Sequence, residues 1–136
     1  MTPPTARPRV SAAVFRQGYA EILMVQHRRR DGSTYWQLPG GGLLPGERPE
    51  DGVLRELYEE AQLAGRVVQP LFTIPYKHGL SSTYLVAVDA ASVPVLGSDP
   101  EEQHAEHRKL AAIAWQRVAD FADNPEIIEV RRWLAG

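Results

Sequence analysis

The sequence predicts an α+β fold, a mixed β-sheet sandwiched between α-helices in an α/β/α arrangement. Three observations point that way. Short apolar runs of β-like composition occupy the first forty residues and again the middle of the chain. One patterned helical segment, opening at Pro49, separates the two sets. A second helix, announced by Asn124-Pro125, closes the chain.

The 136 residues suit one domain, 1–136, with the proline-rich stretch 1–8 as a flexible tail. Hydrophobic residues make up 43% and charged residues 24%, ordinary for a globular chain. A net charge of −2 with no long basic run disfavours a nucleic-acid polymer as partner. The absence of cysteine excludes disulfides, thiolate zinc sites and cysteine nucleophiles. No apolar run approaches the roughly 20 residues that cross a membrane, and MTPPTARPRV has no signal core. A cytoplasmic protein is therefore expected, with a homodimer left open.

Val10 to Phe15 and Ala20 to His27 read as strands joined by a turn at Gln17-Gly18. Arg28-Arg29-Arg30 follows. It is either a solvated loop or a phosphate contact. Tyr35 to Leu38 is a short strand leading into a glycine run, with Trp36 and Leu38 on one core-directed face. Val67 to Tyr76 and Thr83 to Val88 are β-like, separated by a loop 77–82. Pro70 and Pro75 place parts of the first at an edge or a bulge. Ser92 to His107 is an acidic loop, Leu110 to Trp115 a last strand, and the closing helix runs to Leu134.

The central segment carries the chemistry. Pro49-Glu50-Asp51 supplies a proline and two acids to a first helical turn. At 100° per residue Leu54, Leu57, Tyr58 and Ala61 share a core-directed side, and Glu56, Glu59 and Glu60 share the opposite one. Like charges at this spacing repel by a few tenths of a kcal/mol per pair. Arg55 is the nearby cation and neutralises one of them. The surplus negative charge reads either as a solvated acidic face or as an oxygen-only site for a hard cation, Mg²⁺ or Mn²⁺. Gly52 lies on the carboxylate side, where it either leaves room for a phosphate or has no role.

The spacing Gly41-x5-Glu47-x7-Arg55-Glu56-Leu57-x-Glu59-Glu60-x-x-Leu63 resembles the box of the Nudix (MutT-like) hydrolase family, G-x5-E-x7-R-E-U-x-E-E-x-G-U. Chance would produce such a match about once in a million windows or less. Gln62 stands where the family has glycine, which puts the end of the helix in question, with Gly65 as another stop.

The resemblance implies the family's mixed sheet between helices and metal-dependent hydrolysis of a nucleoside diphosphate linked to another moiety. A nucleoside triphosphate, a nucleotide sugar and a dinucleotide all qualify. It implies Glu56, Glu59, Glu60 and the Gly40 carbonyl as metal ligands, with Arg55 and Glu47 orienting the carboxylates. The general base stays open between Glu56, Glu59 and an acid of the distal loop (Glu101, Glu102 or Glu106, with Glu106 preferred). Arg28, Arg29, Tyr76 and His78 are the candidates for holding substrate, and Tyr19 is a further aromatic. The rival readings are a non-catalytic nucleotide sensor on the same fold and a structural helix with a solvated acidic face.

Overall fold

The computed structural model describes residues 7–77, 79–98 and 108–136. Its strands are β1 (Arg9–Ala13), β2 (Phe15–Arg16), β3 (Glu21–Arg29), β4 (Thr34–Gln37), β5 (Gly40–Gly42), β6 (Gly65–Tyr76), β7 (Gly79–Val88) and β8 (Arg108–Arg117). Helix α1 spans Pro49–Ala61 and α2 spans Pro125–Ala135.

Two four-stranded sheets result, one ordered β5-β1-β7-β6 and the other β2-β3-β4 with β8 added to β3. The β1–β7 pair is parallel and the β1–β5 and β6–β7 pairs are antiparallel, so the sheet is mixed as expected. Side-chain alternation divides the core in two. Val10 and Ala12 of β1 join Leu23, Val53, Leu57, Ala61 and Val86 on the α1 side. Ala13 joins Ile22, Met24, Leu38, Ile127 and Val130 on the α2 side. Trp36 borders that second cluster, in edge contact with Phe121.

Several elements differ from the sequence expectation. The loop foreseen at 77–82 is a tighter hairpin, because β6 runs to Tyr76 and β7 begins at Gly79. By contrast, the prolines fall where expected: β6 is the outer strand of its sheet, and register shifts at Val67/Gln69 and Pro70/Phe72 accommodate Pro70. The glycine run is itself a strand, with Gly40, Gly41 and Gly42 opposite Ser11, Val10 and Arg9. Of the expected tail, residues 1–6 lie outside the described residues. Arg7 donates from Nε to the Leu43 carbonyl (3.1 Å), and the Pro8 carbonyl accepts from Leu43 N–H (2.9 Å).

The largest correction concerns the orientation of α1. Its buried residues are Gly52, Val53, Glu56, Leu57, Glu60 and Ala61. Tyr58, assigned to the core side, is 62% exposed, whereas Glu56 and Glu60 are fully buried. The helix is turned so that its buried stripe is half apolar and half acidic. The apolar half meets β1, and the acidic half lies beneath β5, whose glycines leave the space. Gly52 has a packing role: a Cβ there would strike Leu43 and come within 3.0 Å of Glu47.

Candidate active site

Arg55 is the centre of the site. Its Nε and Nη2 donate to the two oxygens of Glu47 at 2.7 and 2.9 Å, a bidentate pair. Nη1 donates to Glu56 Oε1 at 2.9 Å and to Glu59 Oε2 at 3.2 Å, and Nη2 also reaches the Gly42 carbonyl at 3.1 Å. One guanidinium therefore bridges the loop acid, two helix acids and the glycine strand. The Glu47 hydrogen bonds, followed by the nearby Glu56 charge, hold the Arg55 pKa above its already high ordinary value. Reciprocally, the Arg55 hydrogen bonds hold Glu47 below the usual 4.5, with help from Leu44 N–H.

The fourth carboxylate is tied down separately. Glu60 Oε1 accepts the Gly40 N–H at 2.8 Å. Glu56 lies against Gly41, where an added Cβ would come within 2.6–2.8 Å of its three carboxyl atoms. Gly40 abuts the β1 backbone and Gly42 abuts the Arg7 guanidinium. Each glycine of β5 thus meets a different close neighbour: backbone at Gly40, and the Glu56 and Arg7 side chains at Gly41 and Gly42.

These contacts bring Gly40, Glu47, Arg55, Glu56, Glu59 and Glu60 together. Among the described residues no three His, Asp or Glu side chains are gathered as a ready-made metal cage. The carboxylates are instead braced by Arg55 and the glycine strand. The donor set still fits a hard divalent cation: it is all oxygen, with three carboxylates on one arginine and a fourth, Glu60, held by the Gly40 N–H. Mg²⁺ retains waters and takes phosphate oxygens, so it does not need a complete protein cage.

The substrate candidates fare unevenly. Arg28 and Arg29 are exposed at the end of β3, where Arg29 lies over the Tyr35 ring (4.1 Å) and bonds Ser33 (3.3 Å). No described contact joins either arginine to the α1 carboxylates. Tyr19 packs instead against Phe15 and Trp133. His78, Glu101, Glu102 and Glu106 lie outside the described residues. Tyr76 donates its hydroxyl to the Arg7 carbonyl and lines a cavity of about 400 Å³.

That cavity was not anticipated. Arg9, Tyr35, Gln37, Tyr76, Asn124 and Glu126 are among its walls. Glu126, 9% exposed, accepts from Leu38 N–H (3.0 Å) and Ser11 Oγ (3.1 Å) and pairs with Arg9 (3.5 Å). Arg9 also donates to Gln37 Oε1 (2.9 Å). Asn124 caps α2, accepting from Glu126 and Ile127 N–H, while its own amide donates to the Trp36 carbonyl. In sequence these residues are scattered, and of them only Tyr76 stood out as a substrate candidate; only the fold collects them. The one available signal was a polar residue, Ser11, inside an otherwise apolar β1 run.

The profile of the NUDIX domain family matches residues 5–135. An RNA pyrophosphohydrolase of Photorhabdus laumondii is 44% identical over 66 residues, which is 48% of this chain and 35% of that protein. The match therefore spans about a third of that relative's length. Among solved structures, a NUDIX hydrolase from Nitrosomonas europaea aligns with a TM-score of 0.71 at 15% identity, covering 95% of this chain and 88% of that one. An ADP-ribose pyrophosphatase from Streptococcus suis gives 0.69 at 18% identity, covering 96% and 90%.

Proposed function

Since this chain belongs to the Nudix hydrolase family, whose members generally use divalent cations, we propose that it hydrolyses a pyrophosphate bond in a nucleotide, with Mg²⁺ or Mn²⁺ bound beside α1. The Arg55 bridge among Glu47, Glu56 and Glu59 beneath the glycine strand carries this reading, because a merely solvated acidic face would leave those carboxylates in water.

Glu56, Glu59, Glu60 and the Gly40 carbonyl are the proposed metal ligands. Bound there, the cation would neutralise phosphate charge and lower the pKa of a water. Arg55, itself fixed by Glu47, aims the Glu56 and Glu59 carboxylates. One of these two, or Glu106, takes the proton from the attacking water. Tyr35 and Tyr76 offer aromatic walls for the nucleoside end in the cavity around Arg9 and Glu126, and Arg9 and Gln37 offer polar contacts. Arg28 and Arg29 remain candidates for outer phosphates. The reading extends to a cytoplasmic location, where fractionation tests it.

Phosphate and pyrophosphate release should be measured with Mg²⁺ across nucleoside triphosphates, nucleotide sugars, dinucleoside polyphosphates and a 5′-triphosphorylated RNA oligonucleotide. Metal-dependent cleavage of a small nucleotide is expected. Nucleotide binding without cleavage of any panel member would establish the sensor reading instead.

A further inference from the structure

The last carbonyls of a helix have no partner within it. In α1 those carbonyls belong to the residues that bear the proposed metal-binding carboxylates, and no basic side chain sits in the last turn. A surface segment after β7 supplies the donors instead. Val95 N–H donates to the Ala61 carbonyl (2.9 Å), Gly97 N–H to that of Glu60 (2.9 Å) and Ser98 N–H to that of Glu59 (3.0 Å). The strap 95–98 thus grips the peptide groups of Glu59 and Glu60 themselves.

Two residues adapt the chain to this grip. Gly97 is pressed onto the helix end: a Cβ there would land on the Glu59 carbonyl oxygen and lie 2.9 Å from its carbon. Both are backbone atoms, which cannot swing aside. Gln62, in the position where the family pattern has glycine, takes a left-handed conformation at φ 55 and donates its own N–H to the Tyr58 carbonyl. Its side-chain amide also reaches the Leu96 carbonyl at 3.5 Å, so the residue that ends the helix holds the strap as well.

We propose that the strap 95–98, through Gly97 and Gln62, is a positioning element that fixes the final turn of α1 and so sets the aim of the Glu59 and Glu60 carboxylates toward a divalent cation. This rests on the metal-site reading above. A strap of three backbone donors is stiffer than solvation by water. Its loss would let the last turn fray and place each carboxylate in several orientations. Outer contacts that orient metal ligands typically change metal affinity by about 10–100-fold when removed.

The test is calorimetric titration of the intact chain with Mn²⁺ alone, comparing wild type with Gly97→Ala, Ser98→Pro and Glu60→Gln. Gly97→Ala forces the strap off the helix. Ser98→Pro removes one donor from an exposed position and covers the case in which Gly97→Ala does not fold. Both should still unfold in one cooperative thermal transition while Mn²⁺ affinity falls by about tenfold or more. Glu60→Gln should lose Mn²⁺ binding. Wild-type affinity in the folded strap variants, with binding lost in Glu60→Gln, would overturn the strap's role alone. Wild-type affinity in Glu60→Gln would overturn the metal site and the strap's role with it.

Discussion

Adding one methyl group at Gly41 should disable the site without removing any of its functional groups. Gly41 is fixed in β5 opposite Val10, so its backbone has little room to retreat. An alanine Cβ there would stand 2.6 Å from Glu56 Oε1, about 0.8 Å short of the 3.4 Å at which ordinary contact begins. The yielding partner is the Glu56 carboxylate, which must back away and pull on its 2.9 Å bond to Arg55. Overpacking of this kind costs about 1–3 kcal/mol of stability. Misplacing a catalytic group by about 1 Å can cost on the order of 10²-fold in rate. Gly41→Ala should therefore melt a little lower and lose about 10²-fold in kcat, measured by phosphate release under saturating Mg²⁺. Because the methyl acts through Glu56, combining it with Glu56→Gln should cost little beyond the larger single loss. Wild-type turnover in Gly41→Ala, or losses that multiply in the double variant, would refute the placement of Glu56 beneath the glycine strand.

Other variants test the helix and its surroundings. Leu57→Ala should cost about 2–5 kcal/mol in denaturant unfolding, whereas Tyr58→Ala should fall within about 0.5 kcal/mol of wild type; the reverse ranking would mean that α1 is turned the other way. Asn124→Ala removes both cap bonds of α2 and should cost about 1–2 kcal/mol, read from the same unfolding curves. Glu47 is held below its ordinary pKa of 4.5, so its contribution to stability is present above that pH and is lost as pH falls through the lower folded value. The melting temperature of Glu47→Gln should accordingly fall less than that of wild type between about pH 5 and pH 3, and parallel curves would exclude this pairing.

The class of fold was legible because its signals are local. Short apolar runs marked β1 and β3, and Asn124-Pro125 marked the start of α2. The box residues were legible because their spacing is rigid, and the structure does bring Glu47, Arg55, Glu56, Glu59 and Glu60 into one cluster. What failed was the side of the helix they occupy. Periodicity identifies the apolar stripe, but it cannot report that a glycine strand covers the flank beside it. Glu56 and Glu60 therefore read as solvent-facing when β5 buries them, and Tyr58 read as core when it is 62% exposed. The cavity around Arg9 and Glu126 depends on strand register and on the docking of α2, both set by contacts distant in sequence. The Gln62 departure was visible, but its reason, a strap arriving from residues 95–98, was not.

The central claim is that the acids of α1 hold a divalent cation that drives pyrophosphate hydrolysis. Glu59 is the residue to change, because its side chain is 21% exposed whereas Glu56 and Glu60 are fully buried, which best separates chemistry from folding. Turnover of the best panel substrate should be measured for wild type and Glu59→Gln, with Mg²⁺ and with chelator, alongside thermal melts. The expected result is an unchanged melting temperature, a loss of about 10²-fold or more in Glu59→Gln, and no wild-type turnover in chelator. Near-normal turnover in Glu59→Gln, or wild-type hydrolysis that persists in chelator, would contradict it.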